Sequence, residues 1–294
     1  MRNFNLKPVF SKMGINVETN FRLKENTPII GIIGGVGPFA GLDFAKKVFS
    51  STNALQDQDH LDCILASCPS AIPDRTEFLL KNKAFALNTA TNTMDNRENP
   101  AFGMLECAGR LYAAGARIAA VACNTAHASL IFSLFIAMAR ESFPDLQIVN
   151  MLETAAAFVK KNLAPCEIGL LATLGTHASG VYHEYFHAED GFSLLEPDDS
   201  GKKKVHDAIY NREYGIKACS EQVSLRAQEQ IGDEIMKLLD RGAKALILGC
   251  TELPLAVKSK NFPVALIDPG LLTARRLVEL AAPEKLLPMD EGEA

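Results

Sequence analysis

The chain has 294 residues, of which 48% are apolar and 22% are charged, and 35 acidic against 30 basic residues give a formal net charge of −5. No apolar run approaches the ~20 residues that cross a bilayer, which predicts a soluble protein without a membrane partner. Acidic and basic residues are mixed along the chain, so no basic cluster could follow a phosphate backbone, which argues against a nucleic-acid partner. The first 27 residues lack the continuous apolar core of a signal peptide, which predicts a cytoplasmic location.

Short apolar runs alternate along the chain with amphipathic stretches that are long enough for helices. The apolar runs are 28–35, 61–67, 117–122, 146–150, 167–172, 244–249 and 263–267, and the helical stretches include 38–50, 100–114, 151–163 and 221–241. This alternation predicts an α/β fold with mostly parallel sheets flanked by helices. Ligands bind beyond the carboxyl ends of the strands in such sheets, so functional residues are expected just after each apolar run.

Two pairs of similar segments indicate two related halves. Residues 30–41 (IGIIGGVGPFAG) resemble 168–179 (IGLLATLGTHAS). Residues 115–127 resemble 242–254, and in both a cysteine follows the first glycine by eight positions (123 − 115 = 8; 250 − 242 = 8). The alternative is chance, because a Gly-Ala-basic sequence before a buried strand is not rare.

The repeat predicts the domain organisation. We expect an N-terminal extension at 1–27, a first α/β domain at 28–149 and a second at 150–263. The terminal segment 264–286 is expected to pack back on the first domain.

The cysteines are expected to be thiols. There are seven, an odd number at wide spacings without a Cys-x-x-Cys pair, which favours neither a disulfide framework nor a zinc knuckle. Cys123 and Cys250 each end a predicted strand and precede helix-compatible sequence, where free N–H groups favour a thiolate. Two thiols in equivalent positions suit racemisation, in which one removes a proton from a carbon and the other returns one on the opposite face, without a metal or cofactor. The alternative is that both cysteines are core residues.

A rival motif is HEYFH at 183–187, which fits the H-E-x-x-H zinc motif of metallopeptidases. His183 and His187 would share one face of a helix, with Glu184 as the general base. A third ligand would have to come from Glu196, His206 or another residue. A five-residue motif also occurs frequently by chance.

Two further alternatives are a dinucleotide site and a ligand-binding protein without catalysis. Gly34, Gly35 and Gly37 do not have the G-x-G-x-x-G spacing, so they predict a tight strand-to-helix turn that lines a cleft. A ligand-binding protein would require both cysteines to be incidental.

Six motifs, in this order, resemble those of aspartate racemases in the aspartate/glutamate racemase superfamily. They are GIIGGVGP (31–38), IPDRTEFL (72–79), ACNTAH (122–127), LGTHASGVY (174–182), VHDAIY (205–210) and GCTELPL (249–255), within a resemblance that spans roughly residues 28–280. The resemblance implies two pseudo-symmetric α/β domains with the active site in the cleft between them. It also implies pyridoxal-independent interconversion of L- and D-aspartate, no cofactor and a homodimer. Glutamate or hydantoin racemases, maleate isomerases and decarboxylases are the alternatives within the superfamily.

The resemblance also implies roles for individual residues. Cys123 and Cys250 match the catalytic thiols. Arg75 matches the arginine that binds the side-chain carboxylate of an acidic amino acid, and Lys217 matches a lysine that helps to hold it. The other matched positions, which contact the substrate or line the cleft, are Asn124, Thr125, Thr176, Thr251 and Gly37.

Residue type alone leaves other roles open for the two cations. Arg75 could be a surface residue that pairs with Asp74 or Glu77, and Lys217 could be an exposed loop residue. The chain also departs from the family pattern before Arg75, because Cys68 stands where relatives carry asparagine.

Overall fold

The computed structural model describes residues 27–86, 98–219, 221–258 and 261–289. Within these ranges the chain forms two four-stranded parallel sheets with the orders β2-β1-β3-β4 and β6-β5-β7-β8. The identical strand orders match the two similar halves of the sequence, and the predicted α/β fold class is confirmed. The strands are β1 (Ile29–Gly34), β2 (Cys63–Ser67), β3 (Ala116–Val121), β4 (Gln147–Val149), β5 (Glu167–Ala172), β6 (Ser193–Leu195), β7 (Ala245–Gly249) and β8 (Ala265–Ile267).

Helices connect the strands and cover both sheets. Polar side chains cap several of them: Asn150 accepts hydrogen bonds from two N–H groups of the helix that follows it, and Asp268 does the same for the last helix. No helix of the described segments has the length and apolar character needed to cross a membrane. The helices are α1 (Pro38–Ser50), α2 (Arg75–Ala86), α3 (Pro100–Ala113), α4 (Ser129–Ser142), α5 (Met151–Asn162), α6 (Leu174–Ser179), α7 (Asp199–Tyr210), α8 (Leu225–Asp240), α9 (Leu253–Ala256) and α10 (Pro269–Ala281).

Matching glycines in the two halves have matching structural roles. Gly115 and Gly242, which precede β3 and β7, have φ angles of 99° and 105°, where a side chain would be strained. Gly31 of β1 and Gly169 of β5 allow close packing, because a Cβ atom there would lie 3.1 Å and 3.2 Å from leucines of α3 and α8. The repeated glycines therefore follow from the repeated packing.

The terminal segment divides between the two halves. β8 pairs with β7 in the second sheet, so the expectation that all of 264–286 packs on the first domain is wrong for this strand. The edge of β7 supplies hydrogen-bond partners that the backbone of β8 needs. α10 packs against α1 and α5, which both precede the second sheet in the chain. The domain limits at 149 and 263 stay a prediction, and residues 1–26 and 290–294 lie outside the described residues.

A nearly buried ion cluster joins the first helix to the last. Lys47 of α1 lies 2.5 Å from Asp43 and 2.7 Å from Asp268, and its side chain is 14% exposed. Asp268 also accepts a hydrogen bond from the Gly270 N–H at 2.8 Å, at the start of α10. Burial lowers the pKa of Lys47, but the two carboxylates outweigh it and raise this pKa overall.

We expect Lys47→Met to lower the free energy of unfolding by about 3–5 kcal/mol, because it leaves two poorly solvated carboxylates without their partner. Urea denaturation followed by circular dichroism measures this change. The control is Arg276→Met, which removes the pair of Arg276 with Glu279, 44% and 48% exposed, and should cost less than about 1 kcal/mol. Equal losses in the two variants would contradict a special role for the buried cluster.

Candidate active site

The two cysteines predicted to be catalytic lie on turns that contact each other. Cys123 follows β3, Cys250 follows β7, and both residues are buried, with exposures of 6% and 5%. The hydroxyl of Thr251 donates a hydrogen bond to the carbonyl oxygen of Ala122 at 3.3 Å. The residues next to each cysteine therefore join the carboxyl ends of β3 and β7, where the fold predicts a ligand site.

A cluster of buried threonines links the same two halves. The hydroxyl of Thr125 lies 2.9 Å from that of Thr176 and 3.1 Å from that of Thr173. Thr76 of α2 extends the cluster by donating to Thr173 at 3.4 Å. The structure thus brings together the predicted residues Thr125 and Thr176, and adds Thr173 and Thr76, which the sequence analysis did not identify.

A cavity of about 190 Å³ brings together three predicted residues that are distant in sequence. These are Gly37, Arg75 and Lys217, and Glu252 joins them in the cavity wall. A larger cavity of about 840 Å³ lies beside α5 and α10, and none of the predicted site residues lines it. Of these two cavities, the smaller one combines the two cations with the turn that carries Cys250.

Arg75 is buried, so the alternative of a surface arginine is wrong. Its exposure is 6%, and its guanidinium donates to the carbonyl oxygens of Val36 at 2.8 Å and Pro73 at 3.1 Å. The Nε atom is buried and has no hydrogen-bond partner. Burial lowers the pKa of Arg75, but electrostatic interactions with Cys123, Tyr210 and nearby carboxylates raise it overall. A fixed guanidinium with a spare donor suits the binding of a carboxylate.

Glu252 is central to the site and was not predicted. Its side chain is 3% exposed, and it accepts hydrogen bonds from Cys250 Sγ at 3.0 Å and Lys217 Nζ at 2.5 Å. The Lys217 side chain is 23% exposed, so the alternative of an exposed loop lysine is wrong. Gly37 is required here, because its φ is 140° and a Cβ atom would lie 2.2 Å from Glu252 Oε1.

These contacts give Cys250 and Glu252 defined protonation states. Burial raises the pKa of Cys250 well above its ordinary value, and the Glu252 charge adds to the effect. Burial also raises the pKa of Glu252, but Lys217 and the Cys250 hydrogen bond outweigh it and lower this pKa overall. The same ion pair outweighs burial at Lys217 and raises its pKa. Cys250 is therefore a thiol that donates to a carboxylate.

The expectation that a helix N-terminus favours the thiolate is thus wrong for Cys250. Only the four-residue helix α9 follows it, and burial together with the Glu252 charge dominates. Cys123 is followed by a single 3₁₀ turn, Thr125–His127, before α4 begins at Ser129.

The side-chain amide of Asn124 has a hydrogen-bond partner at its oxygen but none at its nitrogen. Its Oδ1 atom accepts a hydrogen bond from the Tyr182 hydroxyl at 2.5 Å, whereas its Nδ2 atom is buried without a partner. The residue is 1% exposed and lies next to Cys123. A buried amide nitrogen with free donors, beside a predicted catalytic thiol, is available to a bound carboxylate.

His127 connects the turn of Cys123 to the start of α5 through two hydrogen bonds. Its Nε2 atom accepts from the Met151 N–H at 3.2 Å, so Nδ1 carries the proton and donates to the Cys123 carbonyl oxygen at 2.8 Å. Burial lowers the pKa of His127 to about 4, although the bond to Cys123 opposes this shift. His127 is therefore neutral and joins Cys123 to the start of α5.

The HEYFH segment does not form the zinc site of the rival interpretation. His183 and Glu184 lie in a 3₁₀ turn, Val181–Glu184, and His187 has extended backbone with φ −116° and ψ 144°, so the two histidines do not share a helix face. His183 Nε2 lies 3.0 Å from Glu196 Oε1, and Glu184 accepts from the Ser129 hydroxyl at 2.8 Å. In the described part of the chain no group of three histidine, cysteine or acidic side chains is placed to hold a metal ion.

Comparison with known proteins identifies the family. The sequence profile of the Asp/Glu/Hydantoin racemase family matches residues 33–277. The chain belongs to this family. The solved Picrophilus torridus aspartate racemase is 28% identical, with a TM-score of 0.68 over 89% of this chain and 96% of that one. An aspartate racemase homologue from Pyrococcus horikoshii is 26% identical, with a TM-score of 0.61 over 86% and 98% of the two chains.

Curated relatives of the family match over a shorter range. A glutamate racemase from Ectopseudomonas mendocina is 30% identical over 194 residues, which are 63% of this chain and 65% of the relative. A glutamate racemase from Persephonella marina is 29% identical over 58% of this chain and 60% of its own length. The chain thus spans less than two thirds of these relatives.

We expect the stability of the protein to fall as the pH decreases from about 6.5 towards 4, since His127 binds a proton in the unfolded chain but resists it in the folded one. The contribution of neutral His127 to the free energy of unfolding is fully present above the pKa that this histidine has in the unfolded chain. The slope that His127 adds should reach about 1.4 kcal/mol per pH unit. Urea denaturation at several pH values should give a flatter profile for His127→Gln. The control is His187→Gln, which changes an exposed histidine. An unchanged slope in His127→Gln would contradict this prediction.

Proposed function

We propose that this chain is a pyridoxal-independent amino-acid racemase that interconverts L- and D-aspartate by a two-cysteine proton exchange. The observation that carries the proposal is the contact between the turns of Cys123 and Cys250 beside a cavity lined by Arg75 and Lys217. The similarity to the Picrophilus torridus aspartate racemase supports aspartate as the substrate. Glutamate is the alternative, because curated relatives are glutamate racemases. A homodimer and a cytoplasmic location stay predictions.

The charges of the cavity favour an acidic amino acid. Lys217 pairs with Glu252, whereas the Arg75 guanidinium has no carboxylate partner in the cavity wall. Arg75 is therefore the cation available to the side-chain carboxylate that distinguishes aspartate and glutamate from neutral amino acids. Arg75 Nε is a free donor for the side-chain carboxylate, and Asn124 Nδ2 is one for the α-carboxylate. Thr125, Thr176 and Thr251 are proposed to line the same end of the substrate.

The proposed reaction moves one proton off the α-carbon and one proton onto it. In one direction the Cys123 thiolate removes the α-proton, and the Cys250 thiol gives its own proton to the opposite face. In the other direction the Cys250 thiolate removes the α-proton and the Cys123 thiol returns one. Cys250 must therefore first pass its proton to Glu252, 3.0 Å from its sulfur, and Cys123 must take one up from solvent. Donors at the α-carboxylate stabilise the negative charge that develops on the substrate. We infer that Glu252 makes Cys250 competent in both roles.

The experiment that tests the function is incubation with L-aspartate in deuterium oxide, with a thiol reductant and with and without a chelator. NMR would follow entry of α-deuterium, and chiral chromatography would follow D-aspartate. Exchange and racemisation that survive the chelator support the proposal. Activity with glutamate but not with aspartate would make glutamate the substrate. The absence of exchange and racemisation with both amino acids would contradict the proposed function.

We expect Cys123→Ser and Cys250→Ser each to lower kcat for racemisation by about 10³-fold or more, since either change removes one of two acid–base groups. A sharper result concerns exchange without racemisation: each variant should exchange the α-proton of one enantiomer only, and the two variants should differ in which one. Cys166→Ser, which changes a half-buried cysteine outside the cavity, is the control and should retain full activity. Normal racemisation in either catalytic variant would exclude the two-thiol mechanism.

We expect Glu252→Gln to lower kcat by about 10²-fold, because an amide cannot accept the Cys250 proton. It should also move the limb of the pH profile that belongs to Cys250 to lower pH, since the Glu252 charge raises the pKa of that thiol. The matched control is Glu234→Gln, which changes a glutamate that is 2% exposed and paired with Lys204 and Lys237 outside the cavity. Because the equilibrium constant of a racemisation is unity, kcat/KM must stay equal for both enantiomers, which checks the assay. A pH profile identical to that of the wild type would refute this role.

A further inference from the structure

The side chain of Tyr182 reaches from the second half of the chain to the turn of Cys123. It lies in the turn Val181–Glu184, directly after α6, which carries Thr176. The residue is 1% exposed, and its hydroxyl donates to Asn124 Oδ1 at 2.5 Å. This hydrogen bond crosses between the halves and ends one residue away from a proposed catalytic thiol.

The phenol of Tyr182 is a permanent donor. Burial raises its pKa well above the ordinary value, and the Asp268 carboxylate adds to the shift. A hydroxyl that keeps its proton can donate it, and here it donates to the oxygen of the Asn124 amide at 2.5 Å. The amide is therefore held in one orientation, and its NH₂ group is left buried and without a partner.

We propose that Tyr182 is a positioning residue that holds the Asn124 amide with its NH₂ group directed at the substrate's α-carboxylate. This inference rests on the proposed function, which supplies the carboxylate. Without the tyrosine hydroxyl the amide can rotate and turn its oxygen towards that carboxylate, so binding should weaken. The role of Tyr182 acts through Asn124 and involves no contact with the substrate itself.

The chain contains a matched pair for comparison. Asn150 Nδ2 donates to the Tyr185 hydroxyl at 2.9 Å, so a second tyrosine of the same region bonds to a second asparagine. Asn150 uses its Oδ1 to cap α5 and does not line the small cavity. Tyr185→Phe thus removes a similar hydrogen bond without touching the proposed site.

The first measurement is a double-mutant cycle on aspartate racemisation. We expect Tyr182→Phe to raise KM about tenfold while kcat changes less than about threefold, as the loss of a hydrogen bond that aids binding requires. In an Asn124→Ala background the same change should alter KM by less than about twofold. Tyr185→Phe should leave both constants unchanged. Equal effects of Tyr182→Phe with and without Asn124 would overturn the proposal, because they would indicate a structural role.

The second measurement does not need activity. In a ¹⁵N-labelled protein the Asn124 side-chain amide gives the pair of NMR signals that disappears in Asn124→Ala. We expect this pair to shift in Tyr182→Phe and to stay in place in Tyr185→Phe, and unshifted signals in Tyr182→Phe would overturn the inference. A wild-type protein that neither racemises nor exchanges aspartate and glutamate would contradict the proposed function, whereas these signals would still decide whether Tyr182 holds Asn124.

Discussion

The balance of charge around the buried Glu252 carboxylate is the constraint on which the site depends. A carboxylate that is 3% exposed is costly unless donors and cations surround it. Lys217 supplies the cation, the Cys250 thiol supplies a donor, and Gly37 leaves the space that the oxygen occupies. One carboxylate thereby fixes the loop of Lys217, the turn after β1 and the protonation of Cys250.

The fold could be predicted from the sequence to a large extent, because its signals are local. Each of the seven apolar runs overlaps a strand, and the four predicted helical stretches contain α1, α3, α5 and α8. β6 was missed because its three residues, Ser193–Leu195, give too short an apolar run. The terminal segment was misplaced in part, since the partner of β8 is decided by a sheet edge that no local pattern describes.

The site was predictable where a residue type carries the chemistry. Cys123 and Cys250 could be found from their matched positions, and the family resemblance added Arg75 and Lys217, which the structure places in one cavity wall. Glu252 and Tyr182 were missed, although they lie within GCTELPL and LGTHASGVY, two of the motifs that carry the family resemblance. Their importance comes from partners 35 and 58 positions away in the chain, Lys217 and Asn124, and pairings at such distances arise only in the folded protein.

The packing of α10 on α1 and α5 has a consequence for the order in which the protein can fold during synthesis. A ribosome releases the first sheet and its helices long before Pro269–Ala281 emerges, so α1 leaves the ribosome without the helix that covers it. Until then Lys47 lacks Asp268, the partner that joins it to the end of the chain. The first half therefore completes its packing only after the second half has been made, and the nascent chain must keep an apolar helix face uncovered for most of its translation.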